Sequence, residues 1–509
     1  MAASRFYKLD QNKTPLFDAV KKFADWDPVP FFIPSHKMGE GIDPDFRSFA
    51  GENILKIDLS EVRWTDDFHG ASTSIKEAQE LAADAWGAEQ SFFLVNGTSG
   101  GIIAALSAVC GDGDRIIVPR NAHKSAIYGL VVSGAEPIYV MPETKEELGL
   151  IGCLSPETLE NAFKEHPDAK AVFTVSPTYY GVMSDTASLA EIAHRYGAVL
   201  IADEAHGNHV YFSDRLPKGA LALGADIVCQ STHKMSGSLT QASILHLGKD
   251  AGRRIDSDKI KTNLSLIQTT SPSYILLASL DTARSYIATQ GDVLLGNVLD
   301  VLEKAREEIE GIPGIEILSA KKIEGFEPTR LVISARALGI DGYELFRILR
   351  EDYDIECEFA DPAWCICVAG LGTRAEDAEA LVKALKEISR KTHKEIARAG
   401  SLFDSGSDNN ESHDSRDKTI TVLPPIPSLI MTPRKAWFAD KDKIPFEQAR
   451  GRISAEMVVP YPPGIPVLCP GEIVSDEVHD YLNEQRKAGR HMHCSAGDSL
   501  TTLTVVRDK

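Results

Sequence analysis

Between residues 91 and 247 short apolar runs alternate with stretches of helical period, and this alternation constrains the fold more than any other feature. SFFLV, RIIV, EPIYV, AVFTV, AVLIA, DIVCQ and SILHL read as strands, several of them apolar on both faces. Between some of them lie GGIIAALSAV and SLAEIAHRYG, whose apolar residues recur with the spacing of a helix. Such a pattern implies an α/β domain with a mostly parallel central sheet. In sheets of that kind ligands collect beyond the carboxyl ends of the strands.

A second unit begins near IEGIPGIEIL (309–318) and runs to about residue 395. Its strands RLVISA and WCICVAG and its helices DGYELFRILRE and AEDAEALVKALKEISR describe a smaller α+β domain. Composition then shifts: AGSLFDSGSDNNESHDSRDK (399–418) is polar, charged and nearly without apolar anchors, the composition of a linker. A Pro-rich segment follows, from TVLPPIP through YPPGIPVLCPGE. The expected division is an N-terminal arm (1–60), a large ligand-binding domain (61–308), a small α+β domain (309–398), a linker (399–418) and a C-terminal α+β domain (419–509). No regular internal repeat interrupts it.

The chain carries a formal net charge of −20, which argues against a nucleic-acid partner, since such binding rests on clustered Lys and Arg. No run approaches the roughly 18 apolar residues of a membrane span, and the N-terminus shows no apolar stretch followed by a cleavage site. The eight cysteines form no CxxC pair, and Cys365 and Cys367 alternate along an expected strand as small buried hydrophobes. A reducing cytoplasm is the expected location.

The stretch ADEAHGNH (202–209) admits three readings. As a helicase motif its acidic pair would hold Mg²⁺ beside ATP, but no GxxxxGK[ST] phosphate loop accompanies it. As a metal site it offers Asp203, His206 and His209 at intervals of three, without a further protein ligand. The third reading makes Asp203 the partner of an organic cofactor, and two other segments support it. In CQSTHKMSGSLTQAS (229–243), Lys234 follows a strand, where its plain alternative is a surface lysine. VNGTSGG (95–101) joins a strand to a helix and offers backbone N–H groups to an anion, where its plain alternative is a Gly-rich turn. A phosphate cradle, a carboxylate and a lysine at strand ends of one sheet are the equipment for pyridoxal 5′-phosphate (PLP), whose aldehyde takes the amine and whose ring nitrogen takes the carboxylate.

The strings PFFIPSHKMG, IKEAQELAADAWGA, FFLVNGTSGG, NAHKSA, SPTYYG, IADEAHG, STHKMSGSLTQAS and YPPGIPVLCPGE run in order along nearly the whole chain. Together they resemble the PLP-dependent Orn/Lys/Arg decarboxylases of the aspartate-aminotransferase fold (fold type I), particularly the short bacterial arginine and lysine decarboxylases. The resemblance implies that Lys234 forms the imine, Asp203 partners the pyridine nitrogen, His123 stacks on the ring and Ala205 packs on its other face. It implies Thr98, Ser99, Gly100, Ser231 and His233 around the phosphate, with His233 also near the imine. It further implies a homodimer or larger homo-oligomer in which Thr240 and Gln241 reach the neighbour's cofactor. Three departures stand out: Ser35 in PSHK where the family has Gly, a longer and more polar linker, and no match to the N-terminal wing of the long inducible enzymes.

The activity so implied is decarboxylation of a basic amino acid, arginine to agmatine first, lysine to cadaverine or ornithine to putrescine as alternatives. Either His233 or Lys234 could return the proton to Cα. Glu472 after the PPGIP turn is a candidate for the substrate's cationic tail or for a catalytic role, though an acidic residue there could instead cap the helix that follows. His206 and Asp67 are further substrate candidates, with Asp66 and His69 beside the latter. An aminotransferase on the same scaffold would need an arginine clamp for the α-carboxylate, for which the small domain offers Arg374.

Overall fold

The computed structural model describes residues 7–403, 423–461, 464–494, 497 and 499–508. All seven apolar runs join one sheet. Its strands are β1 (Gln90–Leu94), β2 (Arg115–Pro119), β3 (Glu136–Val140), β6 (Ala171–Val175), β7 (Val199–Asp203), β8 (Ile227–Gln230) and β9 (Ser243–Leu247), with a small hairpin, β4 (Thr144–Lys145) and β5 (Leu150–Ile151), inserted after β3. The spatial order is β1-β9-β8-β7-β6-β2-β3. Strands β3, β2, β6, β7 and β8 run parallel, and β9 lies antiparallel between β8 and β1.

Successive strand residues feed opposite cores, as the pleat requires. Ile116 and Ile201 pack with Ile102, Leu106 and Leu130 from the helices Gly97–Val109 and Lys124–Ser133. Their neighbours Ile117 and Leu200 pack with Leu159, Phe163 and Leu189 from the helices Pro156–Glu165 and Thr186–Arg195 on the other face. Strand β7 is buried at every position, which explains why its sequence shows no polar alternation.

The N-terminal arm is clamped to the large domain by buried charges. Asp281, fully buried on the helix Tyr274–Glu310, accepts the first-turn N–H groups of Leu16 and Phe17 at 2.9 and 3.3 Å. Arg284, one turn on, donates to the Gln11 carbonyl at 2.8 Å. That 37-residue helix passes through the expected boundary at 308/309 and contributes Val298, Leu302 and Ile309 to the core of the small domain. The small domain's sheet is antiparallel, in the order β10 (Glu316–Ile317), β11 (Arg330–Ser334), β13 (Cys365–Val368), β12 (Phe359–Ala360). Its last helix, Ala375–Phe403, runs five residues past the expected domain end at 398, so the expected linker starts as helix and its remainder lies outside the described residues. No helix among the described residues is long and apolar enough to cross a membrane.

The C-terminal domain pairs β14 (Lys441–Pro445) with β17 (Thr502–Val506) and β15 (Val459–Tyr461) with β16 (His491–His493), around a core that includes Phe446, Val458, Leu482 and Leu503. It docks on the large domain through Met457, Val459 and Cys469, which join the large domain's core, and through a buried ion pair. Arg120, just past β2, donates to Glu472 Oε1 and Oε2, both at 2.7 Å, and to the Val467 carbonyl at 2.7 Å. Glu472 also accepts the Cys469 N–H at 2.7 Å and is fully buried.

This placement corrects both expectations for Glu472. The carboxylate faces a guanidinium rather than substrate, and the helix Asp476–Lys487 is capped by the Ser475 hydroxyl, which accepts the Val478 N–H. Removing one member of such a pair strands the other charge in a dry interior. Arg120→Met should therefore lower unfolding free energy by about 3–5 kcal/mol, and Arg120→Met/Glu472→Met should recover most of the loss. Urea unfolding of the three proteins checks this; equal losses in the single and double variants would show that the charges are not what holds the interface.

Candidate active site

The carboxyl ends of β1, β2, β6, β7 and β8 open on one cavity of about 200 Å³. β7 ends at Asp203 and turns through Ala205 and His206 into the cavity wall. β8 leads to Ser231 and then to the short helix Thr232–Met235, which carries His233 and Lys234. β1 leads through Gly97, whose φ of +67° makes the turn, into the helix that begins with Thr98 and Ser99. β2 leads to His123, whose Nδ1 accepts the Ser125 N–H and so caps the helix Lys124–Ser133. Thus Lys234, Asp203, His123, Ala205, His206, Thr98, Ser99, Ser231 and His233 all line the cavity.

Other sequence candidates fall elsewhere. Gly100 sits one residue further along the helix, buried outside the lining. Thr240 and Gln241 are exposed outside the cavity, and Gln241 contributes its carbonyl to the Gly97 N–H at 3.0 Å. Asp66 is a buried cap whose carboxylate accepts the N–H groups of Ser72, Thr73 and Ile75 at the start of the helix Ser74–Trp86. Asp67 holds the turn at His69 and Gly70, and His69 bonds the Thr269 carbonyl, so neither Asp67 nor His69 reaches the cavity. Arg374 is exposed and paired with Asp377 at 2.6 Å. His209 is buried against Glu327 at 3.1 Å, which commits its Nε2 to that carboxylate.

Burial sets the electrostatics. Asp203 is 5% exposed and accepts one hydrogen bond, from the Ala205 N–H at 3.1 Å. Burial pushes its carboxyl up to about 6. Desolvation lowers the Lys234 ammonium against the pull of Asp203 and Glu358, and the amine lies 3.1 Å from His206 Nε2. Burial and then Lys234 push the His123 imidazole down to about 4, so its ring is neutral near pH 7. His233 Nδ1 lies 2.9 Å from the Ala242 carbonyl, which can only accept, so Nδ1 carries the proton and Nε2 is the free atom. Thr98 Oγ1 meets Ser231 Oγ at 2.6 Å beside the helix N-terminus, and Thr232 Oγ1 is buried with no hydrogen-bond partner among the described residues.

Behind these groups a buried polar lattice holds the loop. Glu204 accepts from the Ala220 N–H, the Tyr211 hydroxyl and Gln230 Nε2, each at 2.7 Å. Gln230 Oε1 in turn accepts from Asn208 Nδ2 at 2.7 Å, and Asn208 Oδ1 accepts from the Ser236 hydroxyl beside Lys234.

Sequence reasoning missed several residues at or near the cavity. Tyr179, in SPTYYG, stands with its ring 4.5 Å from that of His206 and 5.7 Å from Lys234 Nζ. Arg330, fully buried at the start of β11, donates to His206 from the small domain. Glu358, exposed beside β12, acts electrostatically on both Lys234 and Arg330. Gly464 and Ile465 of the C-terminal domain close one wall, and their only sequence signal was the PPGIP turn.

The family model "Orn/Lys/Arg decarboxylase, major domain" matches residues 14–379, and "Orn/Lys/Arg decarboxylase, C-terminal domain" matches residues 418–493. The chain belongs to the Orn/Lys/Arg decarboxylase family. An arginine decarboxylase of Bacillus subtilis is 42% identical over 98% of this chain and 99% of its own length. An arginine decarboxylase of Halalkalibacterium halodurans is 40% identical over 98% of each chain. The constitutive lysine decarboxylase of Escherichia coli is more distant, 25% identical over 95% of this chain and 79% of that one. Among solved structures, a Francisella novicida lysine decarboxylase superposes with a TM-score of 0.80 at 21% identity, covering 97% of this chain and 81% of that one, which fixes the fold. The family's fold thus matches the α/β architecture expected from the strand pattern.

The raised carboxyl of Asp203 gives a pH test on the cofactor-free protein. An acid whose folded-state value lies above its unfolded value costs stability wherever the folded chain must carry the charge. That cost is full above about pH 6 and vanishes below about pH 4, where both states are neutral. Asp203→Asn should therefore stabilise the cofactor-free protein by about 1–3 kcal/mol at pH 8, with the gain shrinking toward zero as pH falls from 6 to 4. Urea unfolding across that range measures it; a gain independent of pH would mean that Asp203 is not the strained acid.

Proposed function

We propose that this chain is a PLP-dependent decarboxylase that converts L-arginine to agmatine and CO2 in the cytoplasm. The observation that carries the reading is the convergence of Lys234, Asp203 and His123 on one cavity at the carboxyl edge of the sheet. The donor set suits the cofactor on its own chemistry. Asp203 is a buried carboxylate with a single hydrogen bond, short of the cation that a protonated ring nitrogen would provide. Thr98, Ser99, Ser231 and the N-terminus of the helix Gly97–Val109 suit a phosphate. The Lys234 amine suits an aldehyde. Bound there, PLP supplies an electron sink for the charge left on Cα when CO2 departs.

The protein's part is to bind, orient and move protons. Asp203 would keep the cofactor's ring nitrogen protonated, and His123 and Ala205 would hold its ring. Two atoms are the candidates to return a proton to Cα: Lys234 Nζ, and His233 Nε2, since the Ala242 carbonyl takes Nδ1. With Glu472 committed to Arg120, we take Glu358, an exposed carboxylate whose charge acts on Lys234, as the candidate to meet the substrate's cationic tail. The relatives named arginine decarboxylase at 38–42% identity, against 25% for those named lysine decarboxylase, favour arginine. The aminotransferase alternative loses its support with Arg374 on the surface. A homodimer is supported by the solvent-exposed Phe31 and Phe49 of the arm, at 94% and 93%, and by the exposure of Thr240 and Gln241 near the cavity. The scattered cysteines, with no CxxC pair among them, suit a reducing compartment.

Purified protein with PLP, given equal arginine, lysine and ornithine, should release agmatine in excess over cadaverine and putrescine when products are read by mass spectrometry. Keto acids in place of amines would overturn the reading. Lys234→Ala should lose both the absorbance of the lysine-bound cofactor and turnover. Glu358→Gln should raise KM for arginine about tenfold with a smaller change in kcat, the signature of a lost charge-assisted contact in the bound state. An unchanged KM would remove Glu358 from the substrate site.

A further inference from the structure

A chain of buried groups runs from the small domain to the Lys234 amine. Arg330 donates from one terminal nitrogen to His206 Nδ1 at 3.2 Å and to the His206 carbonyl at 3.1 Å. Its other terminal nitrogen donates to Thr329 Oγ1 at 2.8 Å and lies 3.3 Å from Glu327 Oε2. Glu327 is itself fixed, by His209 Nε2 at 3.1 Å, the Thr329 N–H at 2.8 Å and the Thr329 hydroxyl at 2.7 Å. Arg330, Glu327 and His209 are all fully buried.

A guanidinium has donors and no acceptor, and it does not give up its proton in proteins. The nitrogen of His206 that faces Arg330 must therefore be the bare one. In the neutral ring the proton then sits on Nε2, which lies 3.1 Å from Lys234 Nζ. A neutral amine can accept that proton's hydrogen bond. An ammonium cannot, because N–H would face N–H.

We propose that Arg330 is a positioning residue that fixes the His206 proton on Nε2, and that this proton, aimed at Nζ, holds the Lys234 amine in its unprotonated, reactive form. The charged groups around the pair act in both directions. Asp203 at the end of β7 and Glu358 beside β12 favour the ammonium, whereas burial and Arg330 oppose it. His206 is itself kept neutral by burial and by Lys234, Arg330, His123 and His209. Tyr179 packs against its ring. The oriented Nε2–H adds a donor where an ammonium needs an acceptor, and so tips a balance between opposed charges. The inference deepens the proposed function in saying what the amine is for, but the geometry beneath it stands without that reading.

The test uses cofactor-free protein labelled with ¹⁵N-histidine, with His206 identified among the 14 histidines by its loss in His206→Gln. The expected spectrum has His206 protonated at Nε2 and bare at Nδ1 near pH 8. In Arg330→Met the ring should become a mixture of tautomers, and the reactivity of the Lys234 amine toward trinitrobenzenesulfonate, taken relative to Lys234→Ala, should move up by about one pH unit, a roughly tenfold slower reaction at a fixed lower pH. Arg330→Lys, which restores a donor, should recover most of both effects. A wild-type His206 carrying its proton on Nδ1 would overturn the proposal, and that measurement needs no variant at Arg330 to fold. So would an amine that shifts in Arg330→Met while the ring proton stays on Nε2, since loss of charge alone would then explain it. Neither result bears on which amine is released in the competition assay, so this inference and the proposed function can fail separately.

Discussion

The carboxylate of Glu204 accepts hydrogen bonds from three different parts of the large domain, and the geometry of the cavity rests on that lattice. It joins the loop after β7 to Gln230 in β8, then through His246 in β9 to Ser91 in β1. Asn208 extends it to Ser236 beside Lys234 and, through its carbonyl, to the Trp86 indole at 3.0 Å. Burial pushes the Glu204 carboxyl up to about 7 in spite of its three donors. Networks of this kind fix one arrangement because every alternative leaves a buried polar group without a partner. Asp203, Ala205 and His206 hang on the loop so fixed.

The four letters DEAH therefore divide labour by how completely each side chain is satisfied. Glu204 is saturated and structural. Asp203, its neighbour on the opposite face of the strand end, has a single donor and a raised carboxyl, which marks it as the group waiting for a cation. His206 faces the cavity, and His209 is held by Glu327 inside the junction with the small domain. Adjacent residues of one polar motif thus carry unlike functions because a strand end sends alternate side chains to opposite sides.

Much of this was legible in the sequence because it is local. Strands buried on both faces announce themselves as apolar runs, and Asp203 ends a strand while Lys234, His123 and Thr98 each follow one within a few residues, so the sheet brings them together. What was not legible depends on contacts between distant segments. Arg330 and His206 are 124 positions apart, and nothing in RLVISA marks its first residue as a buried cation. Arg120 and Glu472 are 352 apart, so Glu472 read as a free carboxylate or a helix cap when it was neither. Asp66 and Asp67 illustrate a subtler loss: adjacent acids in one motif are equally suggestive on paper, yet one caps a helix and the other a turn.

The Arg120–Glu472 pair also orders events during synthesis. The chain grows from its N-terminus, so the sheet and Lys234 are complete while Glu472 and the Gly464–Ile465 wall are still unmade. Until those late residues emerge, the Arg120 guanidinium keeps its water and the cleft above β2 stays open on one side. A nascent large domain is consequently a scaffold with the reactive amine in place and no roof. The Gly464–Ile465 wall is set only when a carboxylate made long afterwards comes back to meet the guanidinium.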